Sequence, residues 1–488
     1  MHCPPHGEVE FLNIGLAYLQ AVLERDGFTT TFHDISAVEH RAGTDFYDDY
    51  VLELSRGIGG DMGDGVDPGL LLQVVRPELF DRLSPVAEAI VRKVEQHLSA
   101  VSASGEVFLF SVNVLTQYFA AGLAARLRAL GKRTAAGGPN LDFAPLRLLL
   151  LRCGAFDAVV RGDGEGVVTG LVERLARGRR PALPGVSWLG PRGAVQEAAP
   201  APPPSVASLP RPSLRGMTHN DFTPLLAGRG CPRPCAFCSE PGKGRFRQRP
   251  AEDVAAEMES AIGRGLSSNF HFHDDTINAS PVWIDRFAGL LRGRDLSWES
   301  FCGPDGLTPL RLGAMARSGC ALLKLGVQSF SDRLLGLMRR RPNAAAIRKI
   351  IILGDKLGIS MRYDLLTCFP GETEADHRLT CEVVEDIFSR TKAVQFSPNP
   401  FYLSLGSDTH RRAARYGIRL RFFDPAGLPA PLRELVRSCG EFPAGFRYGI
   451  PQATVRRRMK DLGDILKRHD RDYLYLGQKR LPPRRKVA

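Results

Sequence analysis

The chain has 488 residues, 43% of them hydrophobic and 24% charged, with a formal net charge of +12. That length implies roughly two to four domains with sizeable cores. No apolar run reaches the ~18 residues that a membrane span needs, and the N-terminus lacks the basic-then-apolar pattern of a signal peptide.

The arginine excess is spread along the chain and thickens only at Arg456-Arg457-Arg458 and from Lys479 to Lys486. Dispersed charge of this kind argues against nucleic acid as a partner and suits an anionic small molecule or a peptide. Of the ten cysteines, three are clustered and seven scattered, which is no disulfide framework. Cys3, Cys153, Cys302, Cys320, Cys368, Cys381 and Cys439 read as small core residues, and a reducing cytoplasm is expected.

In chain order, Ile14 to Asp26 predicts an amphipathic helix with Leu16, Leu19 and Leu23 on one face and Gly27 as its stop. Thr29 to Ile35 predicts a strand, and the glycine-rich stretch 56–69 an exposed loop. Val86 to Leu98 is a helix with Ala89, Ile90, Val94 and Leu98 as its stripe. Strands are then predicted at Val107–Ser111, Thr134–Gly138 and Asp157–Val160, alternating with helices at Phe119–Leu130 and Glu165–Ala176. Such alternation means a parallel sheet, doubly wound, with ligands at the carboxyl ends of its strands. Those ends carry Ser111-Val112-Asn113, Gly137-Gly138-Pro139-Asn140 and Arg161-Gly162-Asp163-Gly164-Glu165. Glycines there let a large ligand approach the backbone. A proline-rich linker covers residues 196–215 and separates a first domain, 1–195, from the rest.

Beyond the linker lies Gly230-Cys231-Pro232-Arg233-Pro234-Cys235-Ala236-Phe237-Cys238, three cysteines spaced C-x3-C-x2-C. Three thiolates this close can share an iron–sulfur cluster and leave one iron of a [4Fe–4S] cube without a protein ligand. Zinc is the competing reading, but it wants a fourth ligand nearby, and no Cys or His follows until His271.

From Phe222 onward, strands are predicted at 222–227, 269–273, 297–301, 322–327, 360–366 and 393–397. Helices follow at 251–264, 280–292, 308–317, 343–357 and 374–388. Six strand–helix units imply an open barrel with its site at the carboxyl ends. His271 and His273 share a face, too few for a metal without a third ligand. Arg362 and Asp364, two residues apart on one strand, both face the barrel interior, paired with each other or with a ligand.

The cysteine spacing, Phe237 and the Gly-Cys-Pro opening resemble the radical S-adenosylmethionine (radical SAM) enzymes. In that family the open iron is chelated by the amino and carboxylate groups of SAM, and reduction of the cluster releases a 5′-deoxyadenosyl radical. The resemblance implies a partial (β/α)6 barrel over residues 216–420, with Cys231, Cys235 and Cys238 as cluster ligands. It implies SAM contacts from Phe237, from Asp274 and Asp275 after the second strand, and from Gln328 and Ser329 after the fourth. Arg362 on the fifth strand, then Phe369 and Pro370 in Cys368-Phe369-Pro370-Gly371-Glu372-Thr373, complete that set. A helix cap at Glu372 or Thr373 is the ordinary reading of the last turn. Residues 421–488 are expected to cap the barrel.

The N-terminal phrases, in this order before a cysteine motif, resemble the cobalamin-binding domain of B12-dependent radical SAM enzymes. The residues carrying that resemblance are Pro5, Ser111, Val112, Asn113, Gly137, Gly138, Pro139, Arg161, Gly162 and Glu165. The chain departs from the wider cobalamin pattern in lacking Asp-x-His-x-x-Gly, since Asp34-Ile35-Ser36 does not continue into it, so cobalt is expected without a histidine ligand. Only Met1-His2-Cys3 precede Pro4, so the first strand is expected to be very short or the start late.

By resemblance, one SAM methylates reduced cobalamin and a second yields the radical that abstracts hydrogen from an unactivated carbon. The implied activity is a cobalamin-dependent methyltransferase acting on a natural product or peptide, served by an electron donor such as flavodoxin or ferredoxin. No side chain is singled out as catalytic. A radical rearrangement, cyclisation or oxidation is the alternative enzyme, and a cobalamin- or redox-sensing protein the alternative of another class.

Overall fold

The computed structural model describes residues 14–33, 35, 65–114, 116–200, 202–215, 222–239, 246–341 and 343–471. The chain divides into two units, residues 1–219 with 420–446 and residues 220–419 with 447–488.

The first unit opens with α1 (Ile14–Arg25), which buries Leu16, Ala17, Val22 and Leu23. Gly27 ends it at φ 90°, and the Phe28 N–H returns to the Leu23 carbonyl at 2.9 Å. The strand expected at 29–35 is absent over residues 29–33, because a strand exists only by pairing and no described segment pairs there; Asp34 lies outside the described residues. Asp67 caps α2 (Pro68–Val75), so the glycine-rich stretch ends in a helix, its residues 56–64 lying outside the described ones. Ser84 likewise caps α3 (Pro85–Ser102).

Then come β1 (Val107–Ser111), α4 (Gln117–Ala129), β2 (Arg133–Gly137), α5 (Ala144–Arg152), β3 (Ala158–Val160) and α6 (Val168–Ala176). β1, β2 and β3 are parallel, with Ser111 beside Gly137 and Ala136 beside Val159. β4 (Val186–Leu189) and β5 (Val195–Glu197) extend the sheet antiparallel in the order β1-β2-β3-β4-β5. The doubly wound expectation therefore holds for the parallel part. β5 runs into the first residues expected to be linker, because Val195, Gln196 and Glu197 pair with Leu189, Trp188 and Ser187.

The second unit carries β6 (Thr223–Leu225), the short pair β7 (Gly228–Arg229) and β8 (Arg247–Gln248), then α7 (Ala251–Gly263) and β9 (Asn269–Phe272). It continues through α8 (Pro281–Leu290), β10 (Ser297–Cys302), α9 (Pro309–Arg317), β11 (Cys320–Gln328), α10 (Asp332–Leu337) and α11 (Ala344–Lys356). β12 (Ser360–Thr367), α12 (Glu374–Arg390), β13 (Val394–Pro400) and α13 (Asp408–Arg411) follow. Six strands lie parallel in the order β13-β12-β11-β10-β9-β6, with no pairing between β6 and β13, which is the open barrel expected. Helix starts are set locally: Ser280, Thr308, Ser331 and Asn343 accept N-terminal amides, and Thr373 with Asp376 forms a capping box.

Alternation along these strands separates two faces. Phe270, Phe272, Trp298, Leu323, Leu325, Met361, Tyr363 and Phe396 pack in the core beneath the helices. The opposite residues, His271, Glu299, Lys324, Arg362, Asp364 and Gln395, face the interior.

The chain then supplies β14 (Arg419–Phe422), α14 (Ala430–Cys439) and β15 (Pro443–Arg447), and the last helix among the described residues is α15 (Gln452–Arg468). The C-terminal part, expected as one cap over 421–488, is divided. Residues 420–446 group with the first unit because Leu432, Val436, Cys439 and Phe442 join its core. Residues 447–471 group with the second, where Leu462, Ile465 and Leu466 of α15 enter the barrel core. Among the described residues no helix is long and apolar enough to cross a membrane.

Phe272 is fully buried and edge-packed on Phe287 and Trp298 at 5.6 and 6.0 Å. Phe272→Ala should cost about 3–5 kcal/mol in urea unfolding, as large aromatic deletions from cores do. Phe301→Ala, at a site 36% exposed on the other face, should cost clearly less than Phe272→Ala in the same unfolding assay.

Candidate active site

The cysteine loop follows β6 and β7 and is fixed from several sides. The Ala236 N–H donates to the Met338 carbonyl at 2.9 Å, and the Ala236 carbonyl accepts from Thr409 N–H at 3.0 Å. Both backbone polar groups of this one residue are thus held, one by a residue after α10 and one by a residue in α13. Arg233 is pulled the other way: its Nε donates to Asp305 at 3.2 Å and its Nη1 to Thr276 at 2.7 Å. Its guanidinium lies so close to Gly303 that a β-carbon there would stand 2.1 Å from it. Asn278 in turn clamps Gly303, donating to its carbonyl at 2.7 Å and accepting its N–H at 2.9 Å.

Cys238 N–H closes a turn onto the Cys235 carbonyl at 3.3 Å. Cys235 is buried, Cys231 and Cys238 half-buried. Arg340 donates from Nη1 to the Cys235 sulfur at 3.3 Å and from Nη2 to the Gly326 carbonyl. Burial pushes the Cys231 thiol up, against the pull of Arg233. Cys302, fully buried, is pushed up to about 12, as suits a core thiol rather than a ligand. Among the described residues no three His, Cys, Asp or Glu side chains converge as around a single ion. A four-iron cube does not ask for that, since each thiolate binds a different iron. Three thiols on one pinned loop, one buried and two half-buried, with two guanidinium groups beside them, fit such a cluster.

The residues expected to meet SAM are placed as follows. Phe237 is half-buried within the loop. Asp274 is buried and accepts from Ala227 N–H at 2.9 Å; burial pushes its carboxyl up to about 7. Asp275 is exposed. Gln328 adopts φ 74° beside a register shift in the pairing of β11 with β12, where it lies opposite Leu365. Ser329 is buried, its hydroxyl accepting from Ser331 N–H at 3.0 Å and lying 3.3 Å from Thr380. Arg362 donates from Nε to Gln395 at 3.1 Å rather than to Asp364. Among the described residues the Asp364 side chain makes no hydrogen bond, and burial pushes its carboxyl up to about 6. Phe369 and Pro370 are buried, Phe369 edge-on to Phe401 at 5.5 Å. Cys235, Gln328 and Asp364 are linked through the Gly326 region, where Arg340 passes; Ser329 is turned into helix packing instead. Sequence reasoning left Arg340 out, its only signal being the run Arg339-Arg340-Arg341.

In the first unit the β1 and β2 ends meet closely. Val112 N–H donates to the Gly137 carbonyl at 2.8 Å, and Gly138 at φ 133° presses on Val112, where a β-carbon would stand 2.1 Å from its oxygen. Pro139 opens the following short turn of helix. Asn113 and Thr116 exchange bonds at 2.9 and 3.0 Å, which ties Asn113 to the start of α4. Arg161 donates to the Ala198 carbonyl at 3.0 Å, Gly162 has φ 73°, and Glu165 is buried. Ser111, Val112, Asn113, Gly137, Gly138 and Pro139 therefore come together at one sheet end, with Arg161 to Glu165 after β3 beside them. Pro5 lies outside the described residues.

Residues 225–384 match the profile of the Radical SAM superfamily. The chain carries a radical SAM domain. Over 267 residues, 51% of the chain, it is 27% identical to the uncharacterized methyltransferase PH0819 of Pyrococcus horikoshii. Over 191 residues, 36% of the chain, it is 30% identical to the ribosomal protein uS12 methylthiotransferase RimO of Syntrophus aciditrophicus. The chain spans about half the length of these curated relatives, 57% of the first and 42% of the second. In fold it is similar to the radical SAM methyltransferase TsrM from Kitasatospora setae, solved with tryptophan and a SAM analogue. That match has a TM-score of 0.62 at 17% identity and covers 93% of this chain and 86% of that one. TsrM has also been solved with cobalamin and a [4Fe–4S] cluster bound. The fold of the radical SAM domain and of the unit before it is thus the two-domain fold expected.

Gly303→Ala should push Arg233 off Asp305 and Thr276 and loosen the cysteine loop. Iron per chain after anaerobic reconstitution should fall well below that of the parent, whereas Gly289→Ala, with open space around it, should leave it unchanged.

Proposed function

We propose that this chain is a cobalamin-dependent radical SAM methyltransferase. The observation that carries the reading is the pinned three-cysteine loop inside a radical SAM domain, preceded by a unit whose parallel strands end in the close-packed Val112–Gly138 junction. Cofactors bound at these places would supply one-electron cleavage of SAM and relay of a methyl group.

This chain's residues bind and orient. Cys231, Cys235 and Cys238 would hold three irons of the cluster, one each. Arg340, next to Cys235, is the guanidinium best placed for the SAM carboxylate, with Arg362 deeper in the barrel; Asp274 and Asp275 stand by the amino end. Gln328 and Asp364 offer polar groups to ribose hydroxyls, and Phe237, Phe369 and Pro370 form apolar walls that exclude water. In the first unit, Ser111, Val112, Asn113, Gly137, Gly138, Pro139, Arg161, Gly162 and Glu165 would form the edge that faces cobalamin, and the missing side chain at Gly138 would leave room for a broad ring. A low-potential carrier such as flavodoxin or ferredoxin would supply electrons. TsrM, solved with tryptophan, supports a small aromatic or amino-acid-like substrate.

RimO-like relatives favour one other reading, methylthio transfer. Turnover with methyl-labelled SAM separates the two. Methyl transfer gives a product heavier by about 14 mass units plus the added mass of the label, with S-adenosylhomocysteine and 5′-deoxyadenosine formed together. A product that also gains sulfur would establish methylthio transfer, and an unlabelled product a rearrangement or oxidation. Cys231→Ala, Cys235→Ala and Cys238→Ala should each abolish 5′-deoxyadenosine formation, while Cys302→Ala should not.

The cobalamin part has its own test. Electron paramagnetic resonance of the Co(II) protein should show no axial nitrogen from the chain. Nitrogen hyperfine splitting would contradict that, and failure to bind cobalamin would remove the methyl relay from the reading.

A further inference from the structure

Arg458 is a charged residue that the reading above leaves without a role. It lies on α15, 3% exposed, in a part of the chain with no resemblance to draw on. Its Nη1 donates to Glu372 Oε2 at 3.0 Å and its Nη2 to Glu374 Oε2 at 3.3 Å, while its Nε is buried without a partner. Glu372 is itself 8% exposed, and the same Oε2 accepts the backbone N–H of Cys368. Cys368 has φ 62°, a left-handed conformation that a β-carbon disfavours. The chain makes that turn immediately after β12, and Phe369 and Pro370 come next.

The contacts form one line from a C-terminal helix to the mouth of the barrel. Removing a guanidinium from one end would leave a buried carboxylate uncompensated at the other. Neighbouring contacts of α15 do not need this line. Leu462, Ile465 and Leu466 give it an apolar face, Arg457 pairs with Glu374 at 2.7 Å, and Asp461 meets His377 at 3.1 Å. Docking of α15 is thus over-determined, and a buried Arg458 adds what those contacts do not supply: a fixed acceptor for the Cys368 amide.

We propose that Arg458 is a positioning residue for SAM, acting through Glu372 to hold Cys368 in its left-handed turn and so to set Phe369 and Pro370 at the carboxyl end of β12. The inference rests on the reading of that strand end as a wall of the SAM site. Strain at one residue is kept where the surroundings dictate it, and such places cluster at binding sites.

Because Arg458→Met alone would bury an unpaired carboxylate, the informative variant is Arg458→Met with Glu372→Met. It removes both charges at similar volume and so preserves folding. Glu372→Gln is its companion, since the amide oxygen still accepts from Cys368 and Arg458. Both are reconstituted anaerobically as full chains, with iron per chain and thermal midpoint recorded. SAM binding is measured by equilibrium dialysis, and kcat/KM for 5′-deoxyadenosine formation by initial rates. The double variant should keep its iron yet lose kcat/KM by on the order of 100-fold, as misplacement of a positioning group by about 1 Å does, with the loss in KM. Glu372→Gln should stay near the parent. Parent-like SAM binding by the double variant overturns the inference alone, as does a Glu372→Gln variant that fails equally. A parent chain that holds iron but binds no SAM overturns the functional reading and this inference with it.

Discussion

The Ala236 backbone is the constraint on which the site depends. Its N–H and carbonyl are both committed, to Met338 and to Thr409, so the loop between Cys235 and Cys238 cannot shift along either direction without breaking a backbone bond. A loop with two prolines and no regular structure would otherwise carry much conformational entropy, roughly 1–2 kcal/mol per residue fixed. Arg233 adds a third tether on the opposite side, and the absence of a side chain at Gly303 is what lets it approach. The three thiols are therefore carried on a loop held at Ala236 and at Arg233.

The barrel sheet separates two environments by the two-residue period of its strands. Beneath the helices the aromatic group Phe272, Phe287 and Trp298 and the Tyr363–Phe396 stack supply apolar burial. On the interior face charges lie close together: His271 meets Glu299, and Lys324 stands 3.5 Å from Glu299 and over the Phe301 ring. Burial alone would raise Glu299, but His271, Lys324 and Arg362 bring it below its ordinary value. Burial lowers His271, so the imidazole favours its neutral form and Glu299 keeps the negative charge that Lys324 balances. Charges arranged this way make a polar chamber within a dry shell, suited to a ligand with ionic groups of both signs.

Much of the barrel was legible because its signals are local and repeated. Ser280-Pro281, Thr308-Pro309 and the Thr373 box mark helix starts in the sequence itself, and alternation such as Phe270-His271-Phe272 states which face is dry. α5 escaped notice because Leu148-Leu149-Leu150-Leu151 is apolar on every side, a run whose period does not tell helix from strand. The segment after Gly27 has strand-like composition but no strand partner among the described residues, and pairing is not written in a single segment. The Arg233–Gly303, Arg340–Cys235 and Arg458–Glu372 contacts join residues 70, 105 and 86 positions apart in the chain, and only the fold brings them together. The cysteine ligands were visible because their spacing is chemical information in itself. Their supports were not, because an arginine in an arginine-rich chain announces nothing.

The chemistry of the site depends on three cysteines that leave an iron open to SAM. The most direct measurement is electron paramagnetic resonance of the anaerobically reduced chain, with and without SAM, using SAM labelled with nitrogen-15 or oxygen-17 in its amino and carboxylate groups. An iron open to SAM predicts a [4Fe–4S] signal that changes on adding SAM and shows magnetic coupling to both labels. A signal that SAM leaves unaltered, with no coupling to either label, would contradict it.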